Sequence, residues 1–480
     1  MKKGTIAVTG LACVLALAGV TGCSNTKASS SESSQAVQST TDEDSNATEE
    51  LDLSSQRLSD EDISTSETYE DSSDGGHAIT ADGETTTYSN FTVTKTGDSD
   101  DDEADFYGEN ASVFATNGAT LTLSDAIITS NGKHANGVFS YGEGTTVNIS
   151  HSIIRTTGDC SGGLMTTGGG TMNADDVTVE TTGNSSAAIR SDRGGGDVNV
   201  TGGYYTTAGT GSPVIYSTAD ISVDSAYLES TSSQGVVVEG ANSVALKDCQ
   251  LIASNTSKNS DKSDYYQAVM IYQSASGDAS AGTSSFSMDG GTLTNKNGDI
   301  FFVNNTACEI NLTNATITNE DSEGVFLRAA AAGWGSEGSN GGNVNLTASS
   351  QEINGDVLVD SVSALNFYLT DSSTFNGAIN PDGQTGDVYV EVEEGSTWTL
   401  TSDSYVSSLT CAAGSINLNG HKLYIDGEEY DGSSASTGEA VEISSGSSSS
   451  QANGGQPGGD KPAGDKPSGS SDSEPPAKPE

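Results

Sequence analysis

Short apolar runs recur through the middle of the chain at a nearly constant interval. Ser112-Val113-Phe114, Gly137-Val138-Phe139, Gly163-Leu164-Met165, Ala188-Ile189-Arg190, Val214-Ile215-Tyr216 and Val236-Val237-Val238 align, with middle residues 25, 26, 25, 26 and 22 positions apart. Val269, Phe301, Val325 and Val357 continue the series across longer loops. Each unit carries a second run that alternates apolar and polar residues, such as Leu121-Thr122-Leu123, Val147-Asn148-Ile149 and Val198-Asn199-Val200. A third follows, such as Ile127-Ile128, Ile153-Ile154 and Tyr204-Tyr205, and turns like Thr156-Thr157-Gly158-Asp159 join them. Alternation with period two marks strands buried on one face. Three such strands in about 25 residues cannot bury their own inward side chains, whereas stacked units share one apolar column. The pattern predicts an all-β fold over residues 76–430: a single-stranded right-handed parallel β-helix with three short strands per turn, flanked by disordered tails. At ~4.8 Å per turn, roughly a dozen turns make a rod on the order of 55 Å long. Residues 76–97 read as its first turn, and Trp398 to Tyr430 as its last, less regular ones.

Composition agrees with this architecture. Only 33% of the 480 residues are hydrophobic, which suits a solenoid that needs few inward side chains per turn. Gly, Ser, Thr and Asn disfavour helix. With 18 Lys+Arg against 67 Asp+Glu the net charge is −49, and no basic patch offers a footprint for nucleic acid. Residues 24–75 hold 14 acidic and two basic residues (Lys27, Arg57) and few large apolar groups. Such a stretch cannot offset its ordering entropy, so residues 23–75 read as an acidic disordered tether. From 431 to 480 Gly, Ser, Asp, Lys and Pro take over, six of the eight prolines lying beyond residue 450. That segment reads as a second flexible tail.

The chain opens Met1-Lys2-Lys3, followed by an apolar run from Ile6 to Val20 and then Val20-Thr21-Gly22-Cys23. A basic start with a short apolar core describes a secretory signal over residues 1–22. Val-Thr-Gly-Cys resembles a bacterial lipoprotein box. The resemblance implies that Cys23 is diacylated, becomes the mature N-terminus and holds the protein to the lipid bilayer on the extracellular face. The alternative is ordinary secretion with an incidental Cys. Beyond Cys13 and Cys23 remain Cys160, Cys249, Cys308 and Cys411. Their spacing matches neither a zinc site nor a CxxC motif, and partly buried free thiols are the expectation.

The turn layout resembles the β-helix of the pectin-lyase-like superfamily. The runs Asn136-Gly137-Val138-Phe139-Ser140-Tyr141-Gly142-Glu143-Gly144, Ser186 to Gly196 and Gly211 to Asp220 look like those of adhesin-like surface β-helix proteins of anaerobic, gut-type bacteria. This resemblance implies a fold and a location, not an activity. Enzymes of the superfamily cut acidic polysaccharides. The Asn-Thr-Asp, His-Gly and Arg-Ile-Lys motifs of its hydrolases do not occur in the chain. Its lyases often carry Arg-x-Pro-x-x-Arg. Arg190-Ser191-Asp192-Arg193 comes nearest, without the Pro or the spacing.

Four features offer chemistry. Arg190, Asp192 and Arg193 form the densest charged group in an Arg-poor chain. They read either as a clamp for a carboxylate sugar or as an internal ion pair beside a glycine turn. The acidic run holding Asp98, Asp100, Asp101, Asp102 and Asp105 could take Ca²⁺ through its oxygens, or be a solvated loop. Asn148, Asn173 and Asn199 fall at one register position and predict an outward amide ladder, and Arg155 falls beside Glu180. Finally, the residues following the inward aliphatics are Phe114, Phe139, Met165, Arg190, Tyr216 and Val238. An unpaired buried charge is too costly inside the column, so Arg190 directs this series outward as an apolar and aromatic stripe. It is either a binding face, with Phe114, Phe139, Arg190 and Tyr216 as ligand contacts, or a surface covered by an early segment or by the loop Ser254–Gln267. These features favour a non-catalytic surface lipoprotein that binds extracellular polysaccharide or a host glycan or protein. A polysaccharide lyase or hydrolase and a structural stalk are the alternatives.

Overall fold

The computed structural model describes residues 51–443 apart from Asp102, Asn259, Gln384 and Thr385. The proposed signal, Cys23 and the tether up to residue 50 lie outside the described residues, as does the tail beyond 443. Among those described, a parallel β-helix is built as expected. Eleven first strands, from Ile79–Asp82 through Val113–Thr116 to Val357–Val359, stack in chain order as one parallel sheet. The second and third strands form a 19-stranded sheet. They merge because one long strand, such as Thr120–Ser130, carries both. Inward side chains from both sheets make a single continuous core, from Ile79 to Leu423.

Two stacked columns explain the residue choice at the corners. Where the long strands bend, Asn90, Asp125, His151, Asp176, Ser225, Asp248, Asn314, Ser350 and Asp371 adopt φ between 41° and 58°. Short polar residues tolerate this left-handed conformation best among residues with a side chain. At the next turn Gly97, Gly132, Gly158, Gly183 and Gly209 stack so closely that a Cβ would lie 1.8 to 1.9 Å from the backbone carbonyl oxygen of the turn below. Only glycine fits there. Beside this column a hydroxyl ladder satisfies the buried corner. Ser161, Ser186 and Ser212 each accept the backbone N–H of the preceding turn at 2.9 Å. Thr156, Thr181 and Thr207 donate to carbonyls five residues on.

Four expectations need correction. The residue stacked on Tyr216 is Val237, while Val238 faces the core, because the preceding turn is one residue shorter than the alignment assumed. Leu327, not Val325, continues the inward series after Phe301. Residues 51–75 are not a tether. Glu67–Asp71 pairs with the first long strand, and residues 53–60 run back across the third strands. There Leu53 N–H donates to Gln250, Leu58 N–H to Thr178, and Arg57 to Glu180. Nor does order stop at 430. Ser436 bridges Cys411, and Val441 N–H donates to Asn366. Both straps reach the sheet mainly through hydrogen bonds, and Ile63 is the one buried apolar anchor of the first, so hydrophobicity gave little sign of them. An antiparallel pair, Leu423–Ile425 with Glu428–Glu429, turns through Asp426-Gly427 and blunts the final strands.

Candidate functional site

The stripe runs outward in the register expected: Phe114, Phe139, Met165, Arg190 and Tyr216 stack on successive turns. It continues through Val237, Met270, Phe302 and Arg328. It is not an open face. The segment 98–112, with a one-turn helix Ala104–Tyr107, folds over its first half. Phe139 and Met165 are fully buried against Ala111, with Phe114 half-buried beside them. The Phe106 carbonyl accepts the Thr167 hydroxyl at 2.8 Å. Over the second half, Tyr265 meets Phe302 at 5.4 Å between ring centroids, and Trp334 meets Tyr272 at 5.2 Å. The apolar area of the stripe is thus buried under the chain's own loops. Phe114 and Phe139 are packing residues rather than an exposed ligand surface.

Arg190 follows the same logic. Its side chain is buried, with Nη1 donating to Asp105 Oδ2 at 2.9 Å and Nη2 to Asp192 Oδ2 at 2.7 Å. The guanidinium fork is occupied by two carboxylates of the chain itself, as the internal-pair reading requires. Asp105 therefore departs from the acidic run. It is fully buried, and its Oδ1 accepts from His134 Nδ1 at 3.0 Å and Asn136 Nδ2 at 3.3 Å. Burial works against its charge, yet Arg190 and His134 hold the carboxyl below the usual range. The described remainder of the run, Asp98, Asp100 and Asp101, is exposed. Asp98 accepts the Lys133 N–H, Asp101 accepts the Glu103 N–H, Asp100 is exposed and Asp102 lies outside the described residues. Among the described residues, these carboxylates do not form a group with Asp105 that could hold one calcium ion.

A small open cleft lies at the edge of the cover, lined by Ser185, Ala187, Arg190, Asp192, Gly211, Pro213, Tyr216 and Asp278. Burial raises the Asp192 carboxyl to about 6 in spite of Arg190 beside it, and Asp278 adds to the rise. Arg193 Nε donates to Asp278 at 3.0 Å, and its guanidinium lies 3.8 Å from the Phe106 ring centroid. The Tyr216 hydroxyl donates to Glu239, which also accepts from Tyr272 at 2.9 Å and from Ser274. Burial pushes the Glu239 carboxyl upward against these donors.

No family model matches the chain, and no curated protein matches it.

Elsewhere the outward ladders form as expected. Asn173 donates to Asn148 at 2.9 Å and Asn199 to Asn173 at 3.0 Å. Arg155 Nε donates to Glu180 at 2.9 Å. Cys160, Cys249, Cys308 and Cys411 are all free thiols, and all but Cys160 are fully buried. One grouping escaped the motif search: Asp105, His134 and Cys160 present ligand atoms within 4.8 Å of one another. The signal was available, because His134 and Cys160 lie 26 residues apart, which is one repeat. Motif spacings for helices and loops do not contain that interval. Asp105 has no such signal, since it reaches the group from the covering loop.

Proposed function

We propose that this chain is a non-catalytic, lipid-anchored surface protein whose β-helix rod presents a binding cleft to extracellular polysaccharide or host-surface glycan. The observation that carries the reading is the cleft beside Tyr216. It pairs an aromatic ring and Pro213 with the arginine and carboxylate groups of Arg190, Asp192 and Asp278, the last of which is held by Arg193. Sugars combine a ring face that stacks on aromatics with hydroxyls that suit paired charged groups. Those charged groups are held by one another, so the cleft is rigid before any ligand arrives, and little ordering cost falls on binding. The anchor rests on the Val-Thr-Gly-Cys box at Cys23.

One observation favours a second reading, a polysaccharide hydrolase or lyase: Asp192 is raised to about 6 beside a second carboxylate, Asp278. Two carboxyls in unlike environments are an arrangement used in general acid–base work. A glycan array probed with the full chain separates the readings. Binding predicts retention of at least one glycan, weakened by Tyr216→Ala and Arg193→Ala, without release of new ends. Appearance of reducing or unsaturated ends, abolished by Asp192→Asn, would replace the binding reading with the enzyme. Failure to retain any glycan would leave the stalk. For the anchor, Cys23→Ala should move the protein from the membrane fraction to the medium, and unchanged retention would remove the lipid.

A further inference from the structure

Two left-handed corner residues on successive turns carry chemistry that the fold does not require. His134 and Cys160 occupy one stacked column, with φ of 56° and 55°. Asn110 precedes them and Ser185 and Gly211 follow, all with φ between 54° and 70°. The backbone demands only tolerance of positive φ, which Asn, Ser and Gly supply; His and Cys are therefore not explained by the corner. Over them the covering loop lowers Asp105, fully buried, so that the carboxylate, the imidazole and the thiol bring one ligand atom each within 4.8 Å of the others.

His134 is only 4% exposed. Its Nδ1 lies 3.0 Å from Asp105 Oδ1, and its Nε2 is buried with no hydrogen-bond partner. A buried ring nitrogen left without a partner costs free energy, so the pocket is incomplete as it stands.

We propose that Asp105, His134 and Cys160 form a site for a thiophilic divalent cation, zinc in the first instance. The donor set of one thiolate, one imidazole and one carboxylate is the mixed N, S and O set that zinc accepts, and it suits magnesium and calcium poorly. Tetrahedral zinc places its donors about 3.3–3.7 Å apart, so the three, already within 4.8 Å of one another, need close by only about 1 Å. Charge supports the assignment. Asp105, Asp192 and a Cys160 thiolate carry three negative charges, while Arg190 and a divalent cation carry three positive ones. Without the cation and with the thiol protonated, the cluster keeps two carboxylates against one guanidinium. Cys160 is partly exposed whereas the other two are buried, so the fourth position opens toward solvent on its side. Such a cation would tie the covering loop to two turns of the rod.

The test uses the full chain with Cys13→Ala and Cys23→Ala, which removes the two thiols outside the described residues. Zinc binding is read by metal analysis and titration, and Co²⁺ serves as a spectroscopic probe. One zinc per chain, a raised melting temperature and a thiolate-to-cobalt charge-transfer band are expected. Cys160→Ser should abolish the band and weaken zinc at least tenfold. His134→Asn should weaken zinc similarly, and Cys249→Ala should leave both the zinc affinity and the band unchanged. Circular dichroism confirms that each variant is folded. Absence of the band, or its persistence in folded Cys160→Ser, would overturn the site.

Discussion

Replacing Phe139 with alanine tests the covered stripe directly. The Phe139 side chain is fully buried, between Met165 and Ala111 of the covering segment, with the Phe114 ring 6.0 Å away. Truncating a buried Phe removes its transfer free energy and leaves a cavity, which typically costs about 3–5 kcal/mol. The site can collapse only if segment 98–112 shifts. That segment is also held by Asp105 on Arg190 and by the Phe106 carbonyl on Thr167, so collapse is resisted. A value near 3–4 kcal/mol is expected. The loss cannot exceed the free energy that docks the segment, because beyond it the segment detaches while the rod remains folded. Phe114→Ala, at a half-buried position, should cost less than half as much. Denaturant unfolding measures the loss, and limited proteolysis reports the detachment as new cleavage between residues 98 and 112. A Phe139→Ala loss below about 1 kcal/mol, with unaltered protease resistance, would refute the covered stripe and restore an exposed face.

Three further outcomes follow from the same geometry. Gly158→Ala should destabilise by at least about 3 kcal/mol, because its Cβ would sit 1.9 Å from the Gly132 carbonyl oxygen and one turn must move off the next; a melting curve within a degree of wild type would contradict the stacked column. Asp192 binds its proton more tightly folded, at about 6, than unfolded, near 3.9, so its contribution to stability is greatest below pH 4 and is lost as pH rises from about 4 to 6. Glu239 is raised as well and acts in the same direction, so unfolding free energy measured against pH should fall across that window, and Asp192→Asn should flatten the fall; an unchanged slope would exclude Asp192 as its source. Arg57→Ala should alter stability by less than about 1 kcal/mol, since Arg57 is half-exposed and Arg155 still holds Glu180, and a larger loss would show that the strap is worth more than its surface pairs.

How much was legible in advance differs by feature. Strand order, the three-strand repeat and the inward column follow from alternation at a period of about 25 residues. A chain with such a pattern can bury its aliphatics only by stacking. The Asn ladder and the Arg155–Glu180 pair follow as well, because parallel in-register stacking brings equal register positions together. Arg190 pointed the stripe away from the column through the cost of an unpaired charge. That argument concerned a single strand, and it held. What lay over the stripe depended on contacts distant in sequence: Arg190 to Asp105 spans 85 residues, and Leu53 to Gln250 spans 197. Nothing in a local period encodes such pairs. The one local hint was turn length. Ile79 and Val113 stand 34 residues apart rather than about 25, and the surplus is the segment that covers Phe139. The acidic composition of that segment suggested a solvated loop, yet one aspartate among its acids is turned inward onto an arginine. The same inward turn brings a carboxylate to His134 and Cys160. The sequence alone therefore determined the rod and its register over the turns of constant length, because these rest on interactions repeated every turn, and the register slipped only where a turn changed length, at Val237 and Leu327. Only the tertiary structure decided which outward face is covered and which side chains meet beneath the cover, because each of those contacts occurs once.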